Sequence, residues 1–271
     1  MRLKLGKKEV DLSSPLLMGV INCTPDSFSG DGTLDVYQAV SMAEQMVKDG
    51  AFLIDVGGES SRPGSDVISE KEELKRVLPV VKKLVNRKFL VSVDTYKASV
   101  AEACLKGGAH MINDISGGKD PGLWPIVVKY NVPYVLMHMQ GTPKTMQEQP
   151  HYEDVVSEVK DFFVEKIQQL KKAGVKQIIL DPGIGFGKRV EDNLALLHHL
   201  KVFVDLGFPV LIGASRKSFI GKLTGAEVHD RLPGTLAAHL LAVLQGANII
   251  RCHDVKEHKQ ALTITKHILQ G

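Results

Sequence analysis

Short runs of aliphatic and β-branched residues recur eight times along the chain, and each stops at a polar or charged residue. LLMGVIN ends on Asn22, FLIDVGG carries Asp55, LVSVDT reaches Asp94 and HMINDIS reaches Asn113. VPYVLMH ends on His138, QIILDPG carries Asp181, VLIGAS leads into Ser215 and Lys217, and NIIRCHD carries Arg251 and His253. A strand buried on both faces reads as a continuous apolar run, not as alternation. Between the runs lie segments of helical period over 35–49, 70–85, 97–106, 121–130, 152–172, 191–200, 233–245 and 256–269. Several of these end on glycine just ahead of the next apolar run, as at Gly50, Gly107-Gly108, Gly174, Gly207 and Gly246, where a helix needs a left-handed cap. Strand and helix alternating eight times predict an α/β fold, a (β/α)8 TIM barrel with a parallel eight-stranded core, formed as one domain over 1–271.

The opposite connections, 23–34, 57–69, 139–151 and 215–232, are longer and richer in Gly, Pro and Ser. They follow the strands, so they lie on the C-terminal face of the barrel with the polar strand ends. Topology alone brings those residues to one rim, the face on which such barrels carry their active sites.

Composition agrees with this picture. The chain has 271 residues, of which 44% are hydrophobic, enough for a large core. Its apolar runs are far shorter than the ~20 residues of a membrane span. The first residues, MRLKLGKKEVDLSS, lack the apolar stretch of a secretion signal, so a cytoplasmic location without membrane association is expected. Cys23, Cys104 and Cys252 form no C-x-x-C pair and read as reduced, buried thiols. A net charge of +3 is too weak to point to nucleic acid. A small anionic substrate remains compatible.

Asn22 opens the loop NCTPDSFSGDG and offers an amide to a metal or to phosphate oxygens. GGESSRPG places Ser61 and Arg62 on a glycine-rich turn, where a planar guanidinium suits bidentate phosphate binding, although a lone loop arginine is more often solvated. Asp94, Asn113 and Asp181 could bind a metal, act as acid and base, or read the N–H edge of a heterocycle; their spacing does not choose. Lys217 with Ser218, and Arg251 with His253, set cations at the seventh and eighth strand ends, the usual phosphate end of such barrels.

Taken in order, MGVINCTPDSFSGDG, IDVGGESSRPG, SVDTYKASV, INDISGG, LMHMQGTPKTMQ, ILDPGIGFGK, LIGASRKSFIG and RCHDV resemble the dihydropteroate synthase family of folate biosynthesis over nearly the whole chain. Ser61 stands where the family usually has Thr, Cys23 where it commonly has Val, and SGDG is a reordering of the common SDGG. A serine keeps the hydroxyl and loses a methyl, so altered packing around the substrate and inhibitor pocket is expected there.

The resemblance implies condensation of 6-hydroxymethyl-7,8-dihydropterin diphosphate with 4-aminobenzoate, giving 7,8-dihydropteroate and pyrophosphate with Mg2+ as cofactor. It gives Asp181 the amino-pyrimidine edge, Asp94 and Asn113 other ring heteroatoms, Lys217 the carbonyl side, Met137 a pocket wall and Arg251 the ring face. Asn22, Ser61, Arg62 and His253 would hold the diphosphate and its metal, with Asn22 the metal ligand. Asp94, with Asp26 or Asp31, would stabilise the cation. Phe28, Pro63 and Phe186 would cover the aminobenzoate, with its carboxylate at Ser218 and the helix start beside it. Catalysis would rest on Asp94, Lys217, Arg251 and Asn22. A homodimer is implied as well, and Leu236, Leu240, Leu241 and Leu244 are either barrel-packing residues or its surface. A corrinoid-type pterin-binding methyltransferase and a non-catalytic pterin-binding barrel are the rivals; both would have less use for the ring of cations. Asp55 reads equally as a ligand contact or an orienting group, His138 as a satisfied structural histidine, Trp124 and Tyr134 as packing, and His198 and His199 as incidental.

Overall fold

The structure, a computed structural model, describes residues 1–24 and 36–270. Eight parallel strands form the wall: β3 (Leu16–Asn22), β4 (Leu53–Gly57), β5 (Val91–Asp94), β6 (Met111–Asp114), β7 (Tyr134–Met137), β8 (Ile178–Asp181), β9 (Leu211–Ile212) and β10 (Ile249–Cys252). They run in the order β8-β7-β6-β5-β4-β3-β10-β9, and a parallel bridge from Leu180 to Val210 joins the two ends into a barrel. The connecting helices are α1 (Val36–Lys48), α2 (Glu70–Asn86), α3 (Ala98–Lys106), α4 (Leu123–Tyr130), α5 (Val155–Ala173), α6 (Val190–His198), the short α7 (Lys201–Val204), α8 (Ser218–Thr224), α9 (Leu232–Leu244) and α10 (Val255–Gln270). The sequence-based segments lie within a few residues of these bounds. Local signals explain the sharpest ones. Ser69 caps α2 by accepting from the Glu72 N–H, ahead of an acidic first turn. Asp154 caps α5 through the Val156 and Ser157 N–H groups, and Gly174 closes it at φ 93°, a conformation that a residue with Cβ rarely adopts.

The barrel wall divides the core. Outward strand residues such as Ile54, Val56, Val93 and Leu136 pack under the helices with Val77, Phe163 and Phe203. Inward residues at the strand starts, Met18, Leu53, Met111, Val135, Ile179, Leu211 and Ile249, form a separate cluster that Leu3, Leu5 and Leu12 plug from below. Leu3 and Leu5 come from an antiparallel hairpin, β1 (Arg2–Leu5) and β2 (Lys8–Asp11), turning at Gly6 with φ 61°, and Leu12 directly follows β2. In β1 the alternation of exposed Arg2 and Lys4 with buried Leu3 and Leu5 is an ordinary one-face strand pattern. With that floor in place, the polar strand ends lie on the opposite face of the barrel. Among the described residues no helix is long and apolar enough to cross a membrane.

Candidate active site

Above the apolar floor the inward positions turn polar. Strand register sets Asp55 beside Ser92 and Asp94 beside Asn113. From β10, the Arg251 side chain reaches past β3: Nε donates to Asp55 Oδ2 at 2.7 Å and Nη2 to Asp94 Oδ2 at 2.9 Å. Asn113 Nδ2 donates to the same Asp55 oxygen at 2.9 Å. This fixes the amide so that Asn113 Oδ1 stays an acceptor, and among the described residues neither it nor Asp55 Oδ1 has a protein partner. Burial pushes the Asp94 carboxyl up to about 7, against the pull of Arg251.

Asp181 closes the other side. Its Oδ1 accepts the Gly183 N–H at 2.8 Å, and burial lifts its carboxyl to about 6 against that bond and the charges of Lys217, Arg251 and Lys188. The half-buried Lys217 ammonium lies 3.8 Å from the Phe186 ring centroid, and burial brings it down to about 8. Phe186, Met137, Met146 and Ile115 form a small apolar cluster at the barrel mouth, flanked by Tyr96 and Met139. Flat apolar walls next to fixed carboxylates and cations suit a planar heterocycle with a polar edge.

The cationic end is more open. Asn22 is half-buried at the end of β3, Ser61 is half-buried, Arg62 and Pro63 are exposed, and Ser218 is exposed at the start of α8. Their loop is anchored from below. Lys97 Nζ donates to Glu59 and Glu73, both at 2.6 Å, Tyr96 donates to Glu59 at 2.7 Å, and Arg76 holds the Gly58 carbonyl at 3.1 Å. Its tip meets the loop after β7, where the Gly64 N–H donates to the Pro143 carbonyl at 3.0 Å. His253 is half-buried with Nδ1 2.9 Å from Ser215 Oγ, and burial and the Arg251 charge hold it down to about 4. It is therefore neutral near pH 7. A neutral imidazole there has one N–H donor and one acceptor nitrogen.

Asp94, Asn113, Met137, Asp181, Phe186, Lys217, Arg251 and His253 thus share one mouth, with Asn22, Ser61, Arg62, Pro63 and Ser218 on its rim. Phe28, Asp26 and Asp31 lie outside the described residues. Asp55 is fully buried and orients its neighbours. Lys188 escaped the sequence reading, although it ends the quoted motif GFGK. It is 3% exposed and donates to the Phe186 and His138 carbonyls at 2.9 and 3.3 Å, with Nζ 3.0 Å from His138 Nδ1. Gly183 allows this close approach of two loops, since a Cβ there would sit 1.9 Å from the His138 carbonyl oxygen. His138 is otherwise packed edge-on against Phe162, and Tyr134 and Trp124 are joined behind the barrel wall. His198 and His199 meet edge-on at the end of α6, away from the rim. All three cysteines are free and buried. Among the described residues no group of three His, Cys, Asp or Glu side chains could hold a metal ion.

The sequence profile of the family described as "pterin binding enzyme" matches residues 18–253. Escherichia coli (strain K12) dihydropteroate synthase is 46% identical over 275 aligned residues, covering 100% of this chain and 98% of its own. A crystal structure of Yersinia pestis dihydropteroate synthase with a sulfonamide drug complex superposes with a TM-score of 0.95 at 43% identity, covering 100% of both chains. The Xanthomonas albilineans dihydropteroate synthase in complex with 7,8-dihydropteroate gives a TM-score of 0.90 at 42% identity and 99% of each chain.

Proposed function

The chain belongs to the dihydropteroate synthase family of pterin-binding enzymes, and from that membership we propose how its strand ends divide the work. It is a transferase of folate biosynthesis, condensing 6-hydroxymethyl-7,8-dihydropterin diphosphate with 4-aminobenzoate to give 7,8-dihydropteroate and pyrophosphate. Asp181 accepts the paired donors of the amino-pyrimidine edge. Asn113 Oδ1 and Asp94 meet other ring heteroatoms, and Lys217 meets the carbonyl side. Met137 and Phe186 wall the rings, with Pro63 and Phe186 covering the aminobenzoate and Ser218 meeting its carboxylate. Arg251 covers the pterin face while Arg62, Ser61 and His253 take the diphosphate.

The reaction breaks the C–O bond to the diphosphate, which leaves with the electron pair. The arylamine nitrogen then forms the new C–N bond and gives up a proton. Cations at the rim stabilise the departing group, and the Asp94 carboxylate stabilises the carbon cation. The observation that carries this reading is the Asp55–Arg251–Asp94 bridge set beside Asp181 and Lys217, where buried charges of both signs meet in one mouth.

Mg2+ fits this donor set as an ion that arrives on the diphosphate, because magnesium keeps most of its shell as water and phosphate oxygens and needs few protein ligands. Asn22 would hold it by the amide oxygen, and the ion would neutralise charge on the leaving group. A homodimer is supported by an apolar face on the last two helices, where Leu241, Leu244, Ile264 and Ile268 are 54% to 72% exposed. Leu236 and Leu240 are half-buried on the same helix as Leu241 and Leu244. Three buried free thiols support a reducing, cytoplasmic setting. The test is pyrophosphate release that requires both substrates. Pterin binding without release would reduce the protein to a non-catalytic pterin-binding barrel.

A further inference from the structure

Behind the rim, two imidazoles are packed between the last two β/α units. The Ala214 backbone N–H, just after β9, donates to His239 Nε2 on α9 at 2.8 Å. His239 Nδ1 lies 2.8 Å from His258 Nε2 on α10, and His258 Nδ1 lies 2.6 Å from the Asp254 carbonyl oxygen. The rings are 1% and 2% exposed. The two ends dictate the direction of every bond. A backbone N–H only donates and a carbonyl only accepts, so His239 carries its proton on Nδ1, and so does His258. A second proton on either Nε2 would confront another N–H group. Burial also holds both rings below the usual imidazole range.

The chain therefore runs from the seventh rim loop to the eighth. Ala214 leads directly into Ser215, Arg216, Lys217 and Ser218, while Asp254 follows Arg251, Cys252 and His253. Two contacts nearer the surface join the same loops: Ser215 with His253 at 2.9 Å, and the Arg216–Asp254 ion pair, with Nε to Oδ2 at 3.1 Å. We propose that His239 and His258 form a one-way hydrogen-bonded relay that positions the seventh rim loop against the eighth, setting the separation of Lys217 from Arg251 and His253. The relay touches no substrate, so these are positioning residues, and their role rests on the site reading given above.

Long-range 1H–15N correlation on histidine-labelled protein tests the relay directly. Both His239 and His258 should be Nδ1–H tautomers and stay so from pH 8 to pH 5; an Nε2–H form, or titration near 6.5, overturns the proposal. His239→Leu and His258→Leu test the consequence. Pyrophosphate affinity and kcat/KM for the pterin diphosphate should each fall roughly tenfold, less than the ~100-fold of a full ångström misplacement. Affinity for a pterin without diphosphate, which also rests on Asp181 and Asn113 from strands outside the relay, should fall by clearly less. Equal losses for both ligands, or no loss, would mean that the pair does not position the cationic loops. Should the variants fail to fold, the tautomer measurement on the unaltered enzyme decides. Absence of pyrophosphate release by that enzyme would fault the functional reading and leave the relay standing.

Discussion

Replacing Arg251 with lysine keeps the charge and removes the fork. The guanidinium serves two buried carboxylates at once, Asp55 at 2.7 Å and Asp94 at 2.9 Å, with side-chain exposures of 0% and 12%. A lysine ammonium on one flexible stem cannot reproduce that planar bridge, so one of two charge-assisted hydrogen bonds is lost, at about 1.5–3 kcal/mol. The loss stays below the ~3–5 kcal/mol of breaking a buried pair outright, because Lys keeps one partner and Asp94 can take up a proton near neutrality. The expected change in Tm is a fall of roughly 3–12 °C, at ~2–4 °C per kcal/mol for a chain of this size. If the same contacts stabilise the departing diphosphate, kcat/KM falls roughly ten- to hundredfold, since each ~1.4 kcal/mol is a factor of ten. Weakening the counter-charge also raises the Asp94 carboxyl, so the acidic limb of the rate profile should move to higher pH. Differential scanning calorimetry and steady-state kinetics on the purified variant measure these together. An R251K enzyme with unchanged Tm and kcat/KM would refute the bridge as the organising feature of the site.

Asp181→Asn should weaken binding of a diphosphate-free pterin at pH 8 by roughly ten- to hundredfold, because an amide cannot accept two parallel N–H bonds and charged hydrogen bonds contribute ~1.5–3 kcal/mol. In the unaltered enzyme, pterin affinity should fall as pH drops through about 6, where Asp181 protonates, and the variant should lack that component; calorimetry giving equal affinities would remove Asp181 from the pterin edge. Lys188→Met should alter stability in a pH-dependent way. Burial lowers the ammonium from 10.5 to about 7, so between those values the unfolded chain holds a proton that the folded chain has released, and raising pH across that window stabilises the native enzyme relative to the variant. Urea-unfolding curves for the two proteins that stay parallel from pH 7 to 10 would contradict this.

The barrel was legible in the sequence because strands buried on both faces cannot hide their apolar runs, and their polar ends mark the rim by topology. That placed Asn22, Asp94, Asn113, Asp181, Lys217, Arg251 and His253 on one rim, while Met137, Phe186, Pro63 and the roles of all of them came only with the family resemblance. Three features were decided only by tertiary structure. The hairpin over Arg2–Asp11 is a floor because the barrel interior below Asp55 is apolar and open until something covers it. Lys188 is just one more lysine in a glycine-rich loop until folding brings the His138 and Phe186 carbonyls around its ammonium. Asp55 read equally as a ligand contact and an orienting group, and its hold on Arg251 depended on where that guanidinium reached across β3, a distance no local pattern encodes. Periodicity reports which face of an element is buried. Partners 196 residues apart along the chain, as Asp55 and Arg251 are, meet only because the sheet closes on itself.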